Sequence, residues 1–239
     1  AYEISLGLVG SEMCIRDRSN IGSIMDLLDD DCLTNGTLTL SNSRDGTLVV
    51  ACGAIAREIL AINEILSWDN ISIKCLPAIY HNHPEKITPA VIDVVKNNKQ
   101  KYQKIYVAYA DCGTGGMLEK ACKDLGVEMI QGPHCYSFFE GNISFAKRLN
   151  PTAFFLTDFL ARQFDAFVWS PLGLDKHPEL IDAYFGNYTK LVYLAQTNDE
   201  VLKKKAAECA RKLKLEFEYK LTGYGDLKNT FIKWKEAID

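Results

Sequence analysis

The hydrophobic positions after Thr47 fall into two alternating patterns. Buried strands are predicted where apolar residues run together, in TLVVACG, ISIKCLPA, KIYVAYAD and VEMIQGP. Helices are predicted where apolar residues recur every three or four positions, in AIAREILAINEIL, PEKITPAVIDVVKNNKQK and GGMLEKACKDLG. Strands that alternate with helices indicate βαβ units, which build a mostly parallel sheet.

The pattern changes near residue 150, where aromatic residues become frequent. The segment NPTAFFLTDFLARQFDAFVW predicts helix, and Asp158, Arg162 and Asp165 share one face of it, which is typical of a solvated stripe of ion pairs. Strands are predicted again for KLVYLAQT and EFEYKLTGYG. The sequence therefore predicts an α/β fold, with a doubly wound, mostly parallel sheet, helices on both faces and an aromatic helical insertion at about 150–188. We expect residues 47–239 to form a single domain.

The first 46 residues do not follow this pattern. The stretch LVGSEMCIRDR, Leu8 to Arg18, resembles the translated end of a transposon adapter used to prepare sequencing libraries. We therefore expect residues 1–18 to be an artefact that lies outside the fold. Residues 19–46 are polar and rich in turn formers, so they predict a poorly ordered lead-in.

Composition excludes several classes of partner. The chain is 47% hydrophobic and 24% charged with a formal net charge of −4, which is ordinary for a soluble globular protein. It carries no basic stripe for nucleic acid and no apolar run of about 18 residues for a membrane. No export signal is recognisable, so we expect a cytoplasmic protein whose eight cysteines are reduced. Those cysteines then indicate metal binding, catalysis or core packing, and not a disulfide framework.

Cysteines and histidines gather where the predicted strands end. The carboxyl ends of parallel strands meet at one edge of a sheet, where ligands bind. Soft thiolates with imidazoles favour zinc or an iron–sulfur cluster, with ligands that converge from separate loops because no CxxC motif occurs. The candidate metal ligands are Cys52, His81, His83, Cys112, His134 and Cys135. The other cysteines in apolar patterns, Cys75, Cys122 and Cys209, predict core packing.

A glycine-rich turn follows the third predicted strand. Its backbone N–H groups, at the start of a helix, predict a site for an anion such as a phosphate, a carboxylate or the Cys112 thiolate. Cys112 is the candidate nucleophile, since its pKa should be lowered there, and Asp111 is a candidate acceptor for a histidine N–H or a ligand hydroxyl. The turn has the spacing of neither a P-loop nor a dinucleotide fingerprint. The anion-binding residues would be Gly113, Thr114, Gly115 and Gly116.

Several stretches in order resemble one known family. They are ACGAIAREI, CLPAIYHNHPEKI, YVAYADCGTGG, GPHCYSFF, FLTDFLARQFDAFV, GLDKHPEL, YFGNYTKLVYLAQT and TGYG. From about Leu48 to Gly225 the chain resembles domain of unknown function 1638. Members of that family often lie beside genes for corrinoid-dependent methyltransferases of the methylated-amine type. The resemblance thus implies a one-carbon setting, with a corrinoid methyltransferase system as a possible partner, and it supplies no catalytic residues.

Three functional hypotheses stay open at this point. The first is a metal- or anion-binding enzyme with a Cys/His cluster, associated with one-carbon metabolism by corrinoid-dependent methyl transfer. The second is an accessory protein that holds a corrinoid or another small ligand without catalysis. The third is a metal-free enzyme with a cysteine nucleophile. Under all three hypotheses we expect the protein to bind a small-molecule ligand, and under none do we expect it to bind nucleic acid or a membrane.

Overall fold

In the computed structural model of the chain, residues 3–7, 28–41, 46–148 and 152–238 are described. The chain divides into two compact units, which are Ala1–Cys135 with Lys228–Asp239, and Tyr136–Leu227. Apolar periodicity reports local elements and not how many cores they build, so the single domain predicted over 47–239 stays a prediction. No helix within the described ranges is long and apolar enough to cross a membrane.

The strands of the described residues form two sheets. The first sheet has the order β1-β2-β4-β3-β5-β6 and the second has the order β7-β8-β9. Pairing is parallel throughout except where β2 meets β1 and β4. The predicted α/β fold with mostly parallel strands is therefore confirmed. The strands are β1 (Glu3–Gly7), β2 (Thr37–Ser41), β3 (Thr47–Cys52), β4 (Ile71–Leu76), β5 (Lys104–Ala108), β6 (Glu128–Met129), β7 (Ala153–Leu156), β8 (Lys190–Ala195) and β9 (Glu216–Leu221).

Two of the helices show standard chemistry at an end. Asp199 precedes the longest of them, and its carboxylate accepts the N–H groups of Val201 and Leu202, which is a standard N-cap. Gly126 ends another in the left-handed conformation, with φ of 67°. The helices are α1 (Asp30–Asn35), α2 (Ala56–Leu66), α3 (Ile87–Asn98), α4 (Met117–Leu125), α5 (Ser137–Glu140), α6 (Asn142–Ala146), α7 (Asp158–Arg162), α8 (Ile181–Phe185), α9 (Glu200–Lys212) and α10 (Gly225–Glu236).

The core of the first unit is built on strand β3. All six of its residues are buried, as expected of a central strand that is covered on both faces. The end of α10 also packs in this unit, where the Trp234 ring stacks on Tyr106 with ring centroids 4.4 Å apart. The Trp234 indole N–H donates to Glu128 at 2.7 Å, so a buried polar group has its partner.

The predicted lead-in is partly ordered. Residues 28–41 contain α1 and β2, and Leu33, Leu38 and Leu40 are buried. The TLTLS segment alternates buried and half-buried positions, which is a strand signal too short to stand out in a polar context. Glu3–Gly7, within the stretch expected to lie outside the fold, pairs with β2 as an antiparallel strand. Residues 8–27, with the adapter-like segment, lie outside the described residues.

The second unit differs from the predicted helical insertion. Its aromatic run AFFL forms strand β7, because aromatic residues suit strands and a short apolar run does not by itself distinguish strand from helix. The predicted solvated stripe is wrong for Asp158, which is 1% exposed. Its carboxylate accepts hydrogen bonds from the Tyr193 hydroxyl, the Gln196 N–H and both the N–H and hydroxyl of Thr197. Asp165 is exposed and pairs with Lys212.

Candidate thiol site

Three cysteines lie at the carboxyl edge of the first sheet. Cys52 is the last residue of β3 and pairs in parallel register with Leu76 at the end of β4. Cys112 follows the end of β5, and Cys135 follows β6. Since β3, β4, β5 and β6 run parallel, the segments that follow them leave the sheet at the same edge.

Backbone hydrogen bonds hold the two loops that carry Cys112 and Cys135 side by side. The Asp111 N–H donates to the carbonyl of Gly132, and the Cys112 N–H donates to the carbonyl of Pro133, both at 3.0 Å. These bonds extend the contact between β5 and β6 beyond the strands themselves. As a result, the Sγ atoms of Cys112 and Cys135 lie 3.3 Å apart, within hydrogen-bonding distance for sulfur.

The two thiols of this pair have opposite protonation preferences. A hydrogen bond from the Cys135 thiol is the main cause that lowers the pKa of Cys112 to about 5; burial opposes it, and the His81 side chain adds to the lowering. The same hydrogen bond, together with burial and the negative charge of Cys112, raises the pKa of Cys135 far above its ordinary value. The two directions favour one proton shared by the pair, with Cys112 as the more acidic and Cys135 as the less acidic thiol.

A third thiol and a tyrosine lie beside the pair. Burial raises the pKa of Cys52 to about 12, and the charge of Cys112 adds to the effect, so Cys52 is a neutral thiol. The Tyr109 side chain is buried, and its hydroxyl makes no hydrogen bond of ordinary geometry within the described residues, although it lies close to the Cys52 thiol. Burial is the main cause that raises the pKa of Tyr109, and the neighbouring cysteines add to the effect.

The predicted histidines separate into two groups. His81, in the 3-10 turn Ala78–Asn82, hydrogen-bonds Cys112. His134 lies close enough to interact with Cys112, His81 and Asp111, and burial is the main cause that lowers its pKa. His83 is half exposed and its Nδ1 lies 3.6 Å from the Glu85 carboxylate, so the structure pairs it with that neighbour.

The six candidate metal ligands do not come together as one preformed site. Among the described residues, no three Cys, His, Asp or Glu side chains are arranged to hold a metal ion. Cys112 and Cys135 are in contact, and Cys52, His81 and His134 lie around them. The zinc or iron–sulfur site stays a prediction.

The glycine turn is occupied by a side chain of its own loop. The Asp111 carboxylate accepts the N–H groups of Gly115 at 3.2 Å and Gly116 at 2.7 Å, and the Thr114 hydroxyl at 2.8 Å. Burial raises the pKa of Asp111, but these hydrogen bonds outweigh it and lower the pKa overall. Gly113 has φ of 84°, a left-handed conformation that favours glycine. The N–H groups predicted for an external anion are thus already bonded to Asp111.

A scan against family models supports the resemblance noted in the sequence. The model described as "Protein of unknown function (DUF1638)" matches residues 75–231. The chain belongs to this family. The matched residues include His81, Cys112 and Cys135, so the thiol pair lies inside the DUF1638 region and Cys52 lies before it.

Other comparisons add little to the DUF1638 assignment. No curated protein matches the chain. Two solved structures are similar: a lipase/esterase from Lactobacillus plantarum has 11% identity and a TM-score of 0.27, covering 85% of this chain and 92% of that one. A candidate carboxylesterase from the same organism has 11% identity and a TM-score of 0.24, covering 85% of this chain and 90% of that one. Likeness at this level has no bearing on activity.

Sequence reasoning missed one residue that lies beside the thiol pair. Tyr109 received no role, although a tyrosine directly before Ala110 and Asp111 at a strand end is a signal for a polar group beside the site. Cys75, Cys122 and Cys209 are buried, as their apolar periodicity predicts. Their pKa values are raised by burial, so these thiols are neutral and inert.

Proposed function

We propose that the chain is an enzyme whose reactive group is the Cys112 thiolate, with Cys135 as the partner thiol that holds the shared proton. The observation that carries this proposal is the 3.3 Å separation of their Sγ atoms at the carboxyl edge of the sheet. The thiolate is the nucleophilic form of cysteine, and a hydrogen bond from a neighbouring thiol favours that form.

Each neighbour has a role in the proposed reaction. Cys112 attacks an electrophilic atom of a small molecule, and the leaving group departs with the electron pair of the broken bond. Consumption of the Cys112 charge lowers the pKa of Cys135, because that charge is part of what raises it. The proton of Cys135 then becomes available to the leaving group. His81 stabilises the thiolate before attack through its hydrogen bond to Cys112.

The substrate class in this proposal comes from the one-carbon setting that the family resemblance implies. A methyl group bound to a good leaving group is an electrophile that a soft thiolate accepts, with formation of a sulfur–carbon bond. We infer that the substrate is an activated one-carbon donor, and that a corrinoid-dependent methyltransferase system is the source or the recipient of the group.

A soft metal ion is the second candidate, because Cys52 lies next to the pair. Cys52 lies close enough to Cys112 for that charge to add to the burial that raises the Cys52 pKa, and the Tyr109 hydroxyl lies close to the same sulfurs. Thiolate sulfurs with an imidazole suit zinc or iron. Metal analysis and an absorption spectrum of protein purified without oxygen test this candidate. Stoichiometric zinc or iron that is lost in Cys112→Ser would support the metal function over the nucleophile.

Residue-resolved alkylation tests the nucleophile directly. Reduced, metal-free protein is treated with iodoacetamide at neutral pH, and modification is followed at each cysteine by peptide mass spectrometry. We expect Cys112 to react first and at least ten times faster than Cys122 or Cys209, which are neutral thiols. Cys209→Ser is the matched control and should leave the rate at Cys112 unchanged. Equal rates at Cys112 and Cys122 would contradict the proposal.

A further inference from the structure

We propose that Cys112 and Cys135 close to a reversible disulfide when the site meets a small peroxide, with Cys112 as the thiol that is oxidised and Cys135 as the resolving thiol. The proposal rests on the proposed function, since the same Cys112 sulfur is the nucleophile. It adds a regulatory oxidation of that site, because a disulfide removes the reactive thiolate.

The distance between the sulfurs is the first argument. A disulfide bond is about 2.0 Å long, so sulfurs that start 3.3 Å apart need to approach by about 1.3 Å. The loops that carry them are held together by the hydrogen bonds from Asp111 to Gly132 and from Cys112 to Pro133. The short gap between the sulfurs and these backbone hydrogen bonds favour closure without a large rearrangement.

The low exposure of the two cysteines favours a small oxidant. Cys112 is 7% exposed and Cys135 is partly exposed. Attack on a disulfide substrate needs an approach in line with the sulfur–sulfur bond, with the second sulfur as the leaving group, and a bulky disulfide would be hindered there. Hydrogen peroxide is small enough to reach a nearly buried sulfur. A thiolate next to a resolving cysteine is also the arrangement found in peroxide-sensitive proteins.

The reaction balances with peroxide as the named oxidant. The Cys112 thiolate attacks one peroxide oxygen, a sulfur–oxygen bond forms, and the oxygen–oxygen bond breaks to release hydroxide. The Cys135 sulfur then attacks the sulfur of the resulting sulfenic acid, forming the disulfide and releasing water with the Cys135 proton. Two electrons pass from the thiol pair to the peroxide. A small dithiol reductant reverses the change by exchange.

Trypsin offers a direct measurement, because it places the two cysteines in separate peptides. Cleavage after Lys104 and Lys120 gives peptide 105–120, whose cysteine is Cys112, and cleavage after Lys123 and Lys147 gives peptide 124–147, whose cysteine is Cys135. Reduced wild-type protein is exposed to stoichiometric hydrogen peroxide without oxygen. Remaining thiols are blocked with iodoacetamide, and the protein is digested without reductant.

We expect the two peptides to be joined after peroxide and released by dithiothreitol. In Cys135→Ala the sulfenic acid on Cys112 should persist and be captured by dimedone, while Cys209→Ser should give the same joined peptides as wild type. Peptides that stay separate in wild type, or Cys112 joined to Cys52, would overturn the proposal. Fast alkylation of Cys112 without joined peptides refutes only the disulfide. Joined peptides with slow alkylation of Cys112 refute only the proposed function.

Discussion

The carboxylate of Asp111 accepts the backbone N–H of Gly116 at 2.7 Å, so the acid beside Cys112 is engaged by its own loop. The Gly115 N–H and the Thr114 hydroxyl complete this set of donors. The Asp111 carboxylate is therefore the anion that the donors of this turn bind. Asp111 therefore stabilises the shape of the loop, and Cys112 is the candidate reactive group in our proposal.

Replacement of Asp111 by Ala should lower the free energy of unfolding by about 1–2 kcal/mol, because several hydrogen bonds to a charged acceptor are lost in a partly exposed loop. Urea denaturation of both proteins at neutral pH measures the difference. Asp124→Ala is the matched control, since Asp124 is an exposed aspartate in the same region, and it should stay within about 0.5 kcal/mol of wild type.

The effect of Asp111 should also depend on pH. Its folded pKa is lowered, so its contribution is present above the ordinary carboxyl pKa of 3.8 and is lost as the pH falls through the folded pKa. The stability difference between wild type and Asp111→Ala should therefore shrink in acid. A difference that grows as the pH falls would contradict this account.

Asp158 and Asp165 provide a matched pair, since the sequence places them on one helix face. Asp158→Ala leaves the donors of Tyr193, Gln196 and Thr197 without their buried acceptor, and we expect a loss of about 3 kcal/mol or more. Asp165→Ala removes only an exposed pair with Lys212 and should cost less than about 1 kcal/mol. Thermal or urea unfolding distinguishes the two. Equal losses would mean that the Asp158 network contributes nothing.

Leu40 tests whether the polar lead-in belongs to the fold. It is 0% exposed in β2, so Leu40→Ala should lower the free energy of unfolding by about 2–5 kcal/mol. Thr39→Ala, on the half-buried side of the same strand, should cost less than about 1 kcal/mol. Urea denaturation measures both variants. A Leu40→Ala protein as stable as wild type would show that residues 28–41 belong to the poorly ordered lead-in that the sequence predicts.

Sequence reasoning works where the signal is local and fails where it is tertiary. The runs that became β3, β4 and β5 are continuous and apolar, so both their type and their parallel arrangement were predictable. The sequence predicts helix where strand β7 lies, because four apolar residues carry no usable period. The burial of Asp158 depends on residues about 35–39 positions away, and no local pattern reports such partners.

The candidate thiol site shows the same division between local signals and tertiary contacts. The strand-end rule predicts Cys52, Cys112 and Cys135 at one edge of the sheet, because each ends or follows a strand of the parallel set. The contact between Cys112 and Cys135 depends on backbone bonds to Gly132 and Pro133, which side-chain patterns do not encode. For the same reason, the sequence did not indicate that Asp111 fills the glycine turn.

Removal of the Cys135 thiol should make Cys112 a weaker acid. In Cys135→Ala the main cause of the low Cys112 pKa is absent, so the pKa should rise toward the ordinary value of 9.0. The rate of Cys112 alkylation at neutral pH should then fall by at least tenfold. Circular dichroism checks that the variant is folded. An unchanged rate would show that His81, and not Cys135, maintains the thiolate.

The most direct test of the account is the pH profile of Cys112 alkylation in wild-type protein free of metal. The rate at peptide 105–120 is measured with iodoacetamide from acid to alkaline pH, with Cys122 as the internal reference. Since the Cys112 pKa is lowered to about 5, reactivity should already be at its plateau at neutral pH and should fall only as the pH drops through that value. A midpoint near the ordinary thiol pKa of 9.0 would show that Cys112 is protonated at neutral pH and would contradict the proposed thiolate site.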